Sequence, residues 1–278
     1  MQIAAPAKIN LNLRVLGRSA ATGYHDIETW MTPISLADTL RVELTETPGI
    51  VLTCSDSELD SGSGNLAWKA AELFLREIGS TGGARLELHK HIPHGAGLGG
   101  GSSDAAAVLN ALNEQAGHKL DPEALEKLAA RLGSDVPFFI RGQAAMARGR
   151  GEKLEAKPLP ATLDLLLLKP PFPVPTAWAY SSYAEKKFCP AEWTAPQLHD
   201  GIEIFNDLER AVFRKYLLLP AMKQWLLEHS LVAAAAMTGS GSCLFAILRD
   251  PRGADQLAAE AKEEFGSTLW TAACRTTA

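Results

Sequence analysis

The sequence predicts a compact α+β fold, on three observations. Strand-type alternation recurs near the N-terminus, helical spacing recurs through the middle, and the two interleave irregularly rather than as regular strand–helix pairs. The chain has 278 residues, 46% hydrophobic and 21% charged, enough apolar material for a sizeable core in one large or two modest domains. No internal repeat or low-complexity tract is visible, which argues against a solenoid.

Taken in order, Ile9, Leu11, Leu13 and Val15 alternate with Lys8, Asn10, Asn12 and Arg14. That is the period of a strand with its apolar row inward and Lys8 and Asn10 together on the other face. Gly17 to Gly23 reads as a polar turn. Tyr24-His25-Asp26 leads into a second strand through Met31, and Thr39 to Leu44 alternates again. A helix runs from Asn65 through Trp68, Ala71, Leu73 and Leu75, and Arg85 to Ile92 alternates as a strand. Ala105, Val108, Leu109 and Leu112 then repeat at helical spacing. Asp121-Pro122-Glu123 opens another helix, with proline at its first position and Leu125, Leu128, Ala129 and Leu132 on one face.

Between the strand and helix lies Pro93-His94-Gly95-Ala96-Gly97-Leu98-Gly99-Gly100-Gly101-Ser102-Ser103-Asp104. At a helix N-terminus the first N–H groups lack internal partners and the peptide dipoles present positive charge, so main chain alone can hold an oxyanion. Glycine permits positive φ and close approach. Ser102 or Ser103 either caps the helix or turns toward a phosphate or metal. Gly95-x-Gly97-x-x-Gly100 formally matches a dinucleotide fingerprint, with Asp121 near the expected offset, but Asp121 opens a helix instead of ending a second strand. No Gly-Lys-Ser or Gly-Lys-Thr occurs, which excludes a P-loop. A different phosphate-binding fold is required.

Farther on, Ser134-Asp135-Val136-Pro137 follows a helix stop; Asp135 suits a capping role, and capping does not exclude catalysis. Lys153 to Pro160 is charged and contains two prolines, a domain boundary, and Leu163 to Leu168 reads as a buried strand. Pro170 to Pro175 must be extended and stiff, holding Thr176 and Tyr180 in place. Thr238-Gly239-Ser240-Gly241 is a small-residue turn before an apolar strand, Cys243 to Leu248.

A net charge of −5 argues against nucleic-acid binding and toward a small-molecule ligand. No apolar stretch reaches the roughly 18 to 20 residues of a membrane span, and Met1 to Lys8 lacks a secretory pattern, so a cytoplasmic protein is expected. Cys54, Cys189, Cys243 and Cys274 are scattered without metal-ligand spacing, which reads as free buried thiols and gives no support for zinc.

Pro6-Ala7-Lys8-Ile9-Asn10-Leu11, the Pro93 to Ser103 loop and Thr238-Gly239-Ser240-Gly241 together resemble the three ordered motifs of the GHMP kinases, which phosphorylate small alcohols with ATP. The resemblance spans almost the whole chain. It is sharpened by Gly23-Tyr24-His25-Asp26-Ile27-Glu28-Thr29, Leu132-Gly133-Ser134-Asp135-Val136-Pro137 and Asn206-Asp207-Leu208-Glu209, which resemble a member whose acceptor carries a cytidine diphosphate group. The resemblance implies a two-domain fold. Its N-terminal nucleotide-binding domain, over 1–155, would be like ribosomal protein S5 domain 2; its C-terminal domain, over 156–278, would be a ferredoxin-like α/β sandwich, with the active site in the cleft.

By the same likeness Asp135 would take the acceptor proton beside Lys8. ATP would lie along Pro93, His94, Gly95, Ala96, Gly97, Leu98, Gly99, Gly100, Gly101, Ser102 and Ser103, with Asn65 and Lys90 near the nucleotide. Mg²⁺ is expected with the ATP phosphates near Ser102 or Ser103, and Glu28 and Asp104 are further metal candidates. The cytidine would meet Tyr24 and His25, with Asn10, Thr176 and Gly239 nearby and Tyr180 closing the other side. A monomer or homodimer, no nucleic acid and no membrane complete the expectation. Ser19 to Thr22 departs from the family's charged approach to Gly23, and Ser134 and Trp68 are further departures. The alternatives are another GHMP kinase, acting on homoserine, mevalonate or a sugar, and a non-catalytic nucleotide-binding paralogue.

Overall fold

Strands β1 (Gln2–Arg18) and β2 (His25–Thr45) are the longest in the fold, and each contributes residues to two compact units. The computed structural model describes residues 1–18, 23–185 and 187–277, so the departure at Ser19 to Thr22 lies outside the described residues. Unit 1 comprises Met1–Ala7, Leu36–Pro93 and Gly99–Gln143; unit 2 comprises Lys8–Ser35, His94–Leu98 and Ala144–Ala278.

In unit 1, β3 (Gly49–Cys54) pairs in parallel with β4 (Gly83–His89), which pairs antiparallel with Thr39 to Thr45 of β2. Helices α1 (Leu66–Glu77), α2 (Gly100–Gln115), α3 (Pro122–Ala130) and α4 (Val136–Arg141) complete the unit, α2 packing against both α1 and α4. Leu40, Val42, Leu86 and Leu88 from the strands and Phe74, Leu109, Leu112 and Phe138 from the helices are buried. Burial of such side chains is the main stabilising term, about 1.5–3 kcal/mol each. Two helix starts behave as their sequences dictate: Asn65 Oδ1 accepts Ala67 N–H at 2.9 Å and Asp121 Oδ1 accepts Ala124 N–H at 2.8 Å.

In unit 2, Ile27 to Met31 of β2 pairs antiparallel with β5 (Ala145–Gly149), which pairs with β6 (Lys153–Ala156). A second sheet is antiparallel throughout: β7 (Asp164–Lys169) lies between β11 (Leu244–Leu248) and β12 (Trp270–Arg275), and β10 (Val232–Met237) flanks β11. Helices α5 (Thr176–Ala184), α6 (Glu209–Lys215) and α7 (Leu218–Glu228) intervene before β10, and α8 (Ala254–Phe265) precedes β12. With α7 packed on β10 and α8 on β7 and β12, strand order β10-β11-β7-β12 gives the expected ferredoxin-like βαββαβ pattern. Short strands β8 (Gln197–His199) and β9 (Ile202–Asn206) pair with one another, and β9 runs parallel to β1 through Asn12 and Leu13.

Two expectations need correcting, and one is extended. The stretches ending at Met31 and beginning at Thr39 belong to one strand, because Trp30 to Ile34 is buried on both faces and carries no alternation to read. The polar face of β1 that carries Lys8 and Asn10 is buried at its start, at 4% and 3% exposure. The cysteines are free, but only Cys189 and Cys243 are buried. Burial pushes the Cys243 thiol up, and the Cys274 thiol to about 12, so neither is a nucleophile near neutral pH.

Candidate active site

The glycine run is a string of left-handed residues separated by apolar anchors. Gly95, Gly97 and Gly99 have φ of +63°, +77° and +75°, while Ala96 and Leu98 between them are buried. His94 to Leu98 belongs to unit 2, where the Ala96 carbonyl accepts Cys243 N–H at 3.2 Å and the Leu98 carbonyl accepts Lys8 N–H at 3.0 Å. A Cβ on Gly97 would strike the Thr238 carbonyl, and one on Gly239 would come within 2.9 Å of the Gly97 carbonyl oxygen. At Gly97, glycine is thus demanded by the second turn as well as by the positive φ.

Gly99 begins the part of the loop in unit 1. It is the left-handed N-cap of α2 and makes no side-chain cap, so the first-turn N–H groups of this 16-residue helix are left to another acceptor. Neither Ser102 nor Ser103 caps the helix. Ser103 Oγ is buried in the first turn with no protein hydrogen-bond partner, which fits an oxygen-liganded cation or a phosphate oxygen. The Asp104 carboxylate is paired instead with Lys90, at 2.8 Å, and Glu28 with Arg148, at 3.0 Å. Asn65 is committed to its own helix start, with Nδ2 donating to the Asp60 carbonyl at 2.9 Å.

Lys8 opens a buried polar chain in unit 2. Its Nζ donates to Asn10 Oδ1 at 2.7 Å, Asn10 Nδ2 donates to Thr29 Oγ1 at 2.8 Å, and Asn10 N–H donates to Thr238 Oγ1 at 3.1 Å. His25 and Tyr180 stack with ring centroids 5.5 Å apart and planes inclined by 26°. The Tyr24 ring is exposed and carries the Arg150 guanidinium 5.2 Å from its centroid. Thr176 Oγ1 hydrogen-bonds Ser240 Oγ at 2.9 Å, beside Gly239. Asp135, in unit 1, is the N-cap residue of α4 but its side chain makes no capping bond, so its carboxylate is not explained by the helix start.

These features match known proteins over nearly the whole chain. Residues 65–143 match the model for the GHMP kinases N terminal domain and residues 194–267 that for GHMP kinases C terminal. A 4-diphosphocytidyl-2-C-methyl-D-erythritol kinase of Methylacidiphilum infernorum (isolate V4) is 44% identical, covering 96% of this chain and 93% of its own. One of Pelotomaculum thermopropionicum is 42% identical, over 92% and 91%. The chain belongs to the 4-diphosphocytidyl-2-C-methyl-D-erythritol kinase family. The crystal structure of a 4-(cytidine 5'-diphospho)-2C-methyl-D-erythritol kinase matches with a TM-score of 0.81 at 36% identity, covering all of both chains. A mevalonate kinase structure with a TM-score of 0.64 at 16% identity shares the fold.

As a member of this kinase family the protein is an ATP-dependent small-molecule kinase, with ATP as phosphoryl donor. Among the described residues no helix is long and apolar enough to cross a membrane, and no cluster of three or more His, Cys, Asp or Glu side chains is arranged to hold a metal.

Several positioning groups escaped the residue-by-residue reading. Asn206 Nδ2 donates to the carbonyls of Met237, at 2.7 Å, and Gly239, at 2.8 Å, holding the entry to the second glycine turn. Glu209 Oε1 accepts Met237 N–H at 2.8 Å, and its Oε2 accepts the buried Lys223 ammonium at 2.6 Å. Burial pushes the Glu209 carboxyl up against the pull of Lys223. Asp207 Oδ2 accepts Val15 N–H at 2.9 Å. The signal was present in the kinase-like Asn-Asp-Leu-Glu run, where an amide and an acid precede a helix that a second acid opens, but most of their targets lie far along the chain.

Proposed function

We propose that this kinase transfers the γ-phosphoryl group of ATP to the 2-hydroxyl of 4-diphosphocytidyl-2-C-methyl-D-erythritol, giving the 2-phosphate and ADP in the non-mevalonate route to isopentenyl diphosphate. The observation that carries this reading is the 44% identity, over 96% of the chain, to a kinase of that name. The glycine run supports it independently, as a main-chain anion site of the kind a polyphosphate requires.

In this reading Asp135 accepts the proton of the acceptor hydroxyl, since an alcohol is a poor nucleophile until that proton has a place to go. A positioned carboxylate supplies about 10²- to 10⁴-fold in rate. Lys8 stabilises the negative charge that spreads over the transferring oxygens. The Asn10 amide oxygen orients the Lys8 ammonium without taking its charge. Alignment and electrostatics supply most of the acceleration in phosphoryl transfer, so rigid placement is the chief task of these groups. Mg²⁺ belongs to the reading, held by ATP phosphates with Ser103 or Ser102; when bound it neutralises phosphate charge. The cytosine lies against Tyr24, His25 and Tyr180, and hydrogen bonds at the base edge, with His25 as reader, supply discrimination that stacking lacks. Residues 1–155 serve the nucleotide, and residues 156–278 form the second domain.

The test is an ADP-release assay with Mg-ATP and a panel of alcohols. Turnover is expected with the cytidylyl acceptor and not with homoserine, mevalonate or galactose. Turnover with homoserine in place of the cytidylyl acceptor would overturn the assignment.

A further inference from the structure

Just before the glycine run, three charged side chains distant in sequence form one buried cluster in unit 1. Asp38, on β2, is fully buried, and both its carboxylate oxygens are engaged. Oδ1 accepts the main-chain N–H groups of His91 and Ile92, the latter at 2.9 Å, and Oδ2 accepts the Lys90 ammonium. The same ammonium donates to Asp104 Oδ2 on α2 at 2.8 Å. The helix start abuts the cluster: a Cβ on Gly100 would lie 3.3 Å from Lys90 Nζ and 3.0 Å from Ile92 Cγ2.

The Lys90 ammonium is held between two acidic side chains inside unit 1. Its burial and fixed partners suit a strut. Charges removed from water are tolerated only when paired; Asp38 is satisfied on both oxygens, whereas Asp104 meets Lys90 through Oδ2 and leaves Oδ1 buried without a partner, so it is Asp38 that favours one geometry over its neighbours. That geometry fixes the turn His91–Ile92 relative to the first turn of α2.

We propose that Asp38 is a positioning residue for nucleotide binding. It acts through Lys90 and the His91 and Ile92 amides to hold the exit of β4 against the start of α2, and Asp104 closes the clasp from the helix side. The proposal rests on the glycine run being the nucleotide site.

The test compares Asp38→Ala, which removes both sets of bonds, with Asp38→Asn, which keeps an acceptor for the two amides but loses the charge facing Lys90, and with Asp104→Asn. ATP affinity is measured by calorimetry with Mg²⁺, KM and kcat by ADP release, and folding by thermal unfolding. Asp38→Ala is expected to weaken ATP binding about tenfold and Asp38→Asn and Asp104→Asn about threefold. KM for the acceptor and kcat at saturating ATP should stay at wild-type values, a split that a general loss of structure would not give. Should Asp38→Ala not fold, the two conservative variants decide. Folded variants with ATP affinity within about twofold of wild type, or with the loss falling equally on the acceptor, overturn the proposal. Wild-type protein that binds ATP but leaves the cytidylyl acceptor unphosphorylated overturns the proposed acceptor and leaves Asp38 standing if its variants show the expected split.

Discussion

Gly239 and Gly97 meet backbone to backbone, so closely that a methyl on Gly239 would come within 2.9 Å of the Gly97 carbonyl oxygen. Gly239 also has φ of +56°, where a side chain costs about 1–2 kcal/mol. Gly239→Ala should therefore lower both stability and turnover, and Gly97→Ala more so, because its methyl would meet the Thr238 carbonyl. Urea unfolding together with KM for ATP checks this; wild-type values for Gly97→Ala would contradict the contact.

Asp135→Asn should lose turnover by about 10²-fold or more while ATP affinity changes little. The substitution keeps shape and removes the basic oxygen. A near-normal kcat would remove Asp135 from the base role.

Glu209 and Lys223 form a buried pair that also braces Met237 N–H. Breaking it from one side strands a charge, and Lys223→Met should cost about 3–5 kcal/mol. The double change Lys223→Met with Glu209→Gln should recover part of that loss, since an amide oxygen still accepts Met237 N–H. A double-mutant cycle of unfolding free energies measures the coupling, and strict additivity would deny it.

Burial raises the Asp104 carboxyl to about 7, against the pull of Lys90 and with help from Asp38. In the unfolded chain an aspartate titrates near ~3.9, so between these values the folded state holds a proton that the unfolded state has released. The group's stabilising contribution is full below about pH 4 and lost as pH rises through about 7, at up to about 1.4 kcal/mol per pH unit. Without nucleotide and with EDTA present, wild type should lose more stability between pH 5 and pH 8 than Asp104→Asn. Parallel urea midpoints would contradict the shift.

Tyr180→Phe should leave acceptor KM unchanged, because it keeps the ring that stacks on His25. Tyr180→Ala should raise it, a lost base–aromatic stack being worth about 1–3 kcal/mol. Steady-state kinetics in the acceptor separates the two; an equal rise in both would point to the hydroxyl.

Local chemistry was legible wherever it acts over a few residues. The helix starts at Asn65 and Asp121 and the β7 and β11 strands follow from side chains near in sequence, whereas α2 begins at Gly100, ahead of the serines that read as its caps, because the left-handed Gly99 starts it without a side chain. That Lys8 and Asn10 share a face was legible from period two; that the face is buried was not, because alternation says nothing about what covers it. Asp38 was overlooked for a related reason. A lone acid in a strand reads as surface until its partners at Lys90, His91 and Ile92, far along the chain, are known. The His25–Tyr180 pair came only through resemblance, since no local pattern links residues so distant.

The sunken Ala96 and Leu98 have a thermodynamic consequence. A free glycine-rich segment would have to surrender about 1–2 kcal/mol of backbone entropy per residue on gripping a ligand. Here that debt is settled during folding, so capture of the donor should be quick and enthalpy-led, and amide hydrogens around these two anchors should exchange slowly even in the empty enzyme.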